Sequence, residues 1–140
     1  MSDDRGDGDC FEVAACIALD IPSDEVGVAM GQHVLKSMEA IDPKSIRVCH
    51  GFVSRPTDGY RHVHAWIELR MNNATFVLDY SNRKAFFGFA TRYRSIGKIN
   101  DDECWKYTPD AARHAMIREE TYGPWEGQEN YAPQNDTATG

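Results

Sequence analysis

The hydrophobic pattern changes period along the chain, and each change marks an element. From Cys10 to Leu19 the run Cys-Phe-Glu-Val-Ala-Ala-Cys-Ile-Ala-Leu is apolar nearly all round, as expected of a helix buried at the centre of a domain. Asp9 precedes it as an N-cap, which places Cys10 at the first helical position. Ile21-Pro22-Ser23 breaks the pattern, and Ser23 can cap a second helix with Asp24 and Glu25 in its first turn. The apolar stripe of that helix is Val26, Met30, Val34, Leu35 and Met38, weakened by Gly27 and Gly31 and ended at Asp42-Pro43. Ile46 to Val53 then reads as a strand, and Ser54 to Gly59 as a loop.

From His62 to Arg70 and from Ala74 to Tyr80 the period shortens to two, and Met71-Asn72-Asn73 separates the two runs. Asn tolerates positive φ, so Asn72-Asn73 suits the two-residue hairpin turn. With Met71 and Ala74 flanking that turn, Trp66 comes opposite Asp79 and His64 opposite Ser81. Residues opposite one another share a face, as do alternate residues of one strand. His64 and Asp79 therefore become diagonal neighbours on one face.

Beyond the hairpin, Asn82 is placed to cap a helix from about Arg83 to Ser95, with Phe86, Phe87, Phe89, Ala90 and Tyr93 as its bulk. Trp105 to Tyr107 is a short strand. Thr108-Pro109-Asp110 opens a last helix, which Tyr122-Gly123-Pro124 stops. From Glu126 onward Gly, Gln, Asn, Pro and Thr dominate, the composition of a disordered tail. The expected class is α+β: a small antiparallel sheet packed against the N-terminal helix and further helices, one domain over residues 1–125 with a tail over 126–140.

Three residue types in this pattern carry chemistry. Cys10 opens a helix, where the N-terminus favours a thiolate, although Asp7, Asp9 and Glu12 oppose it. His64 can take the thiol proton, and Asp79 can hold the imidazole in the right tautomer. His62 shares the face of His64 and becomes the base if the register differs. Trp66 lies on the same face as a wall of the cleft, Ser81 opposite His64 can line it, and Glu68 continues the face toward solvent at the hairpin end. Cys16 lies roughly 240° further round the helix from Cys10 and, like Cys49 and Cys104, reads as a small core hydrophobe.

The order Asp9-Cys10-Phe11-Glu12, then His64-Ala65-Trp66-Ile67-Glu68, then Asp79-Tyr80-Ser81 resembles the transglutaminase-like branch of the papain-like cysteine enzymes. With Tyr122-Gly123-Pro124-Trp125 added, it also resembles small uncharacterised phage and bacterial proteins. The first resemblance implies Cys10 as nucleophile, His64 as base and Asp79 as orienting group. It also implies a cysteine-dependent hydrolase or acyltransferase that needs no cofactor and acts on a peptide or small-molecule acyl substrate. Papain-like proteases usually carry a Gln before the nucleophile, and this leader has none, which leaves the oxyanion donors unassigned.

Composition narrows the rest. A net charge of −7 argues against a nucleic-acid partner, which needs a basic face. Arg83, Lys84, Arg92, Arg94 and Lys98 make one local basic cluster, read as a solvated helix face. No run approaches the roughly 20 apolar residues of a membrane span, and the acidic leader is unlike a signal peptide, so the expected compartment is cytoplasmic, the host's if the gene is viral. Two rivals stand beside the enzyme. One is a binding or inhibitor protein that keeps the scaffold without turnover, directed at a host protein. The other is a metal site built on His62 and His64 with Asp79 and Cys10 or His50, for which the paired-cysteine spacings are missing.

Overall fold

The computed structural model describes residues 9–125 and Gln128. Its register is set at Asn72 and Asn73, whose φ angles of 54° and 69° are those of the turn that matches strand twist. From there β2 (Arg61–Met71) and β3 (Ala74–Asp79) pair as Met71↔Ala74, Leu69↔Phe76 and Ile67↔Leu78, the alignment implied by the sequence. On the other side of β2 lies β1 (Ile41–Ser54), which starts at Ile41 rather than Ile46 and shifts register between Asp42 and Arg47. Two short strands, β4 (Phe86–Phe89) and β5 (Cys104–Tyr107), complete an antiparallel sheet of order β4-β3-β2-β1-β5.

Alternation along β2 divides the core in two. Ala65, Ile67 and Leu69 pack with α1 (Cys10–Leu19), α2 (Val26–Ser37) and α4 (Pro109–Glu119). Trp66 packs on the opposite face with Val77, Cys49 and Ala90, the first residue of α3 (Ala90–Gly97). The α+β class holds. Thr108-Pro109-Asp110 opens α4 as expected, and Thr108 caps it, accepting from the Ala111 N–H at 3.0 Å.

The helix expected over 83–95 is instead β4 followed by a shorter α3. The reason is the period of the Phe run. Phe87 and Phe89 stack on Phe76 with ring centroids 5.6 and 4.8 Å apart, while Phe86 turns to the other face and meets Tyr93 at 5.1 Å. A lone Gly88 in a strand beside β3 completes the edge, and Asn82, with φ at 56°, sits in a turn and caps nothing helical.

In α2 the expected stripe is only half right, because Val26 and Met30 are exposed. The tightest part of the packed face is the pair of glycines. A Cβ on Gly27 would lie 2.0 Å from the Tyr80 carbonyl oxygen, and one on Gly31 would lie 2.2 Å from Ile17 Cδ1. Close backbone approach at the glycines, together with Val28, Val34, Leu35 and Met38, seats this helix. That costs about 1 kcal/mol of helix propensity at each glycine, less than the clash that either side chain would bring.

The Tyr122–Trp125 segment closes the α1 side. Gly123 lies against Phe11 and His50, where a Cβ would come within 2.6 and 2.8 Å of their rings. Trp125 stacks on His50 at 4.5 Å and Tyr107 at 4.8 Å. Gln128, placed in the tail by composition, is buried here; the rest of the expected tail lies outside the described residues. Gln128 Oε1 accepts from the Trp125 N–H at 2.9 Å and pairs with His50 Nδ1 at 2.8 Å. An acceptor already taking an amide N–H must also accept from the imidazole, so His50 carries its proton on Nδ1.

Burial lowers the pKa of His50 to about 4, with the charge of His64 adding to it and the Gln128 bond opposing. The unfolded chain protonates His50 near about 6.5, so stability from keeping it neutral is present above that pH and is lost as pH falls toward 4. The expected loss is about 3 kcal/mol over that interval. Thermal melts between pH 7 and 4 check it: a His50→Gln variant should show a flatter profile, and an equally steep one would assign the acid sensitivity elsewhere.

Candidate active site

Cys10 starts on the α1 side of the sheet, whereas His64, of the same parity as Trp66, faces α3. Side chains from opposite faces can meet only where the sheet is interrupted. It is interrupted beside His64, since Ile67 and Leu78 are the last paired positions of β2 and β3 and the chain leaves the sheet after Asp79. The Asn82 N–H donates to Asp9 Oδ1 at 3.0 Å and so ties the departing chain to the start of α1. At that break the Cys10 thiol lies close enough to His64 to act on its protonation.

His64 is anchored from its other side. Its Nε2 lies 2.9 Å from Asp79 Oδ2. Tyr93 donates its hydroxyl to the same oxygen at 2.6 Å, and Ser81 gives Oδ1 both its backbone N–H at 3.1 Å and its hydroxyl at 2.6 Å. Four donors on one carboxylate leave it purely an acceptor. The proton of the neutral imidazole therefore sits on Nε2. Nδ1 is buried and has no hydrogen bond of normal geometry among the described residues. It is the nitrogen left to receive a thiol proton.

The electrostatics follow from this packing. Burial alone would push the His64 pKa down, but Cys10 and Asp79 beside it, through electrostatics and hydrogen bonding, outweigh it and hold the imidazole well above its ordinary range. For Asp79 burial would raise the pKa, yet the charge of His64 and the bonds from His64, Ser81 and Tyr93 lower it to about 2. Burial, then the adjacent Asp79 charge, keeps the Tyr93 phenol well above 10 and protonated. The result is a His–Asp pair fixed in one tautomer.

Tyr93 is the residue that the sequence reading missed, taking it for helical bulk. No local signal marks it, because only the docking of α3 across the hairpin brings its hydroxyl to Asp79. Ser81, expected to line the cleft, is 3% exposed and spends its N–H and hydroxyl on Asp79 as a brace. Trp66 is wholly buried; its ring stacks beside His64 at 6.3 Å, and its Nε1–H reaches Glu68 at 3.3 Å. His62 lies farther out, its ring parallel to Tyr60 at 5.9 Å, and the Asp79 carboxylate serves His64 rather than His62.

Four further expectations change. Glu68 does not reach solvent: it is 4% exposed and paired with Arg94 at 3.0 Å and Lys106 at 3.1 Å. Arg94 accordingly belongs to an ion network around the buried Glu68 and not to a solvated face. Asp9 holds the N-cap position, but its carboxylate goes to Asn82 and α1 has no side-chain cap. Cys16 and Cys49 are core residues as expected, while Cys104 is half-buried and burial raises the pKa of all three thiols.

Cys10 itself is completely buried. The void beside it, lined in part by Ala65, Trp66, Leu78 and Tyr80, has no room for a water molecule. Among the described residues no group of three or more His, Cys, Asp or Glu side chains is arranged to hold a metal ion, and no helix is long and apolar enough to cross a membrane. Comparison of the chain with protein-family models, curated proteins and solved structures finds no match.

Proposed function

We propose that this chain is a cysteine-dependent acyl-transfer enzyme, with Cys10 as nucleophile, His64 as general base and acid, and Asp79 as the orienting carboxylate. The observation that carries the reading is the state of His64: Nε2 committed to a saturated Asp79, and Nδ1 buried with the Cys10 thiol beside it. In the reaction the thiol proton passes to Nδ1, giving a thiolate–imidazolium pair, and the thiolate then forms the Sγ–C bond. The amide or ester bond then breaks, and the same proton goes to the leaving amine or alcohol. Water or an amine releases the acyl group, giving hydrolysis or transfer. The uncapped first-turn N–H groups of α1 are suited to the oxyanion, because Asp9 is turned away to Asn82. The resemblance to papain-like and transglutaminase-like enzymes supports the same roles.

A second reading, a binding protein that keeps the scaffold without turnover, has one observation in its favour: Cys10 is sealed from solvent. One measurement separates the two. Treated with iodoacetamide at neutral pH and mapped by peptide, the folded protein should lose Cys10 first, ahead of Cys16, Cys49 and the half-buried Cys104. Faster modification of Cys104 would leave the binding scaffold as the better account.

A further inference from the structure

β2 is paired from end to end on one side, apart from a register shift opposite Leu69, and along only part of its length on the other. β1 matches it from Arg61↔Ser54 to Met71↔Ile41, whereas β3 matches it only from Ile67 to Met71. In an antiparallel strand the N–H and C=O of one residue point to one neighbour, and those of the next point to the other. The two-residue turn makes Met71↔Ala74 a hydrogen-bonded pair. Leu69 and Ile67 therefore also aim at β3. By the same alternation Ala65, Val63 and Arg61 aim at the lane that β3 has left. Among the described residues no loop backbone bonds to them there.

That lane adjoins the reactive groups. His64 lies between Val63 and Ala65, and Cys10 reaches it where β3 ends. Arg61 and Val63 are half-buried, so their outward backbone groups stand at the margin of the site. Backbone donors and acceptors fixed in a strand without a partner are the template that an added strand takes up.

We infer that the outer part of this lane, beside Arg61 and Val63, binds the acyl substrate as an extended peptide, whose backbone adds to β2 there and leads a peptide carbonyl toward Cys10; Ala65, buried under α1, closes its inner end. The inference rests on the acyl-transfer reading and names its substrate class. A small acyl donor would leave the alternating donors and acceptors of Arg61 and Val63 unused. The stacked rings of Tyr60 and His62 stand on one face of the same stretch and would flank the peptide's side chains, which gives His62 a substrate-binding place after all.

Two measurements on the intact protein test it. In amide hydrogen exchange by NMR, Val63 should exchange at least about tenfold faster than Ile67 and Leu69, whose amides β3 takes up. Equal protection at Val63 would mean that the chain itself fills the lane, and would overturn the inference whatever Cys10 does. The second uses a set of acetyl-tripeptidyl fluoromethyl ketones, methylated at one backbone nitrogen at a time. Because alternate amides face β2, methylation at one position should slow Cys10 alkylation at least about tenfold, and at the next position little. Uniform sensitivity, or none, would overturn it. Iodoacetamide has no backbone to pair, so its failure to find Cys10 would count against the acyl-transfer reading alone.

Discussion

Replacing His64 by alanine is expected to slow modification of Cys10 at neutral pH by about a hundredfold or more, the usual consequence of losing a positioned general base. The thiol is surrounded by the start of α1 and the end of β3, and His64 Nδ1 is the base within its reach. His62 cannot substitute, because the carboxylate that fixes the tautomer is bonded to His64 at 2.9 Å. The rate is read by iodoacetamide kinetics on both proteins, with circular dichroism to confirm the fold. A His64→Ala protein that reacts normally while His62→Ala does not would move the base to His62.

The second large effect is expected from Asp79→Asn. The substitution keeps the shape but removes the charge, and places an amide NH₂ where donors from Ser81 or from His64 and Tyr93 already point. The His64 pKa should fall by at least about one unit, since an opposite charge in contact shifts a group by 1–3 units, and Cys10 should react more slowly. Stability should change with pH in a defined way. The raised His64 contributes stability that is present below its unfolded pKa of about 6.5 and is lost as pH rises through the raised value. The lowered Asp79 contributes stability that is present above about 4 and is lost as pH falls toward 2. The two proteins should therefore differ most between about pH 4 and 6.5. NMR titration of His64 and thermal melts across that range measure both effects, and identical titration curves would refute the triad.

Much of this was legible from local chemistry. Asn72-Asn73 requires positive φ, and that turn alone registers the hairpin and brings His64 and Asp79 to one face. The helix at Cys10 and the one opened at Thr108-Pro109-Asp110 follow from signals within four residues of each. The Phe86–Phe89 run was misread because its bulk suits a helix as well as a strand; the open edge of β3 decided between them. Gly27 and Gly31 read as weaknesses in α2, because nothing in the sequence shows the Tyr80 carbonyl or Ile17 waiting at those positions.

By itself the sequence determined the class of elements, the hairpin register and the His–Asp pairing, all consequences of turn geometry and a side-chain period of two. The tertiary structure decided what those residues became. It brought Tyr93 from a separate helix to saturate Asp79, and it turned Ser81 from a cleft residue into a brace. Asp9 left its cap for Asn82, and Glu68 went inward to pair with Arg94 and Lys106. It also ended β3 beside His64, so that a thiol from one face of the sheet meets an imidazole from the other. Periodicity reports which face a residue occupies. Where two faces meet depends on where a strand stops, and that is set by packing between elements far apart in the chain.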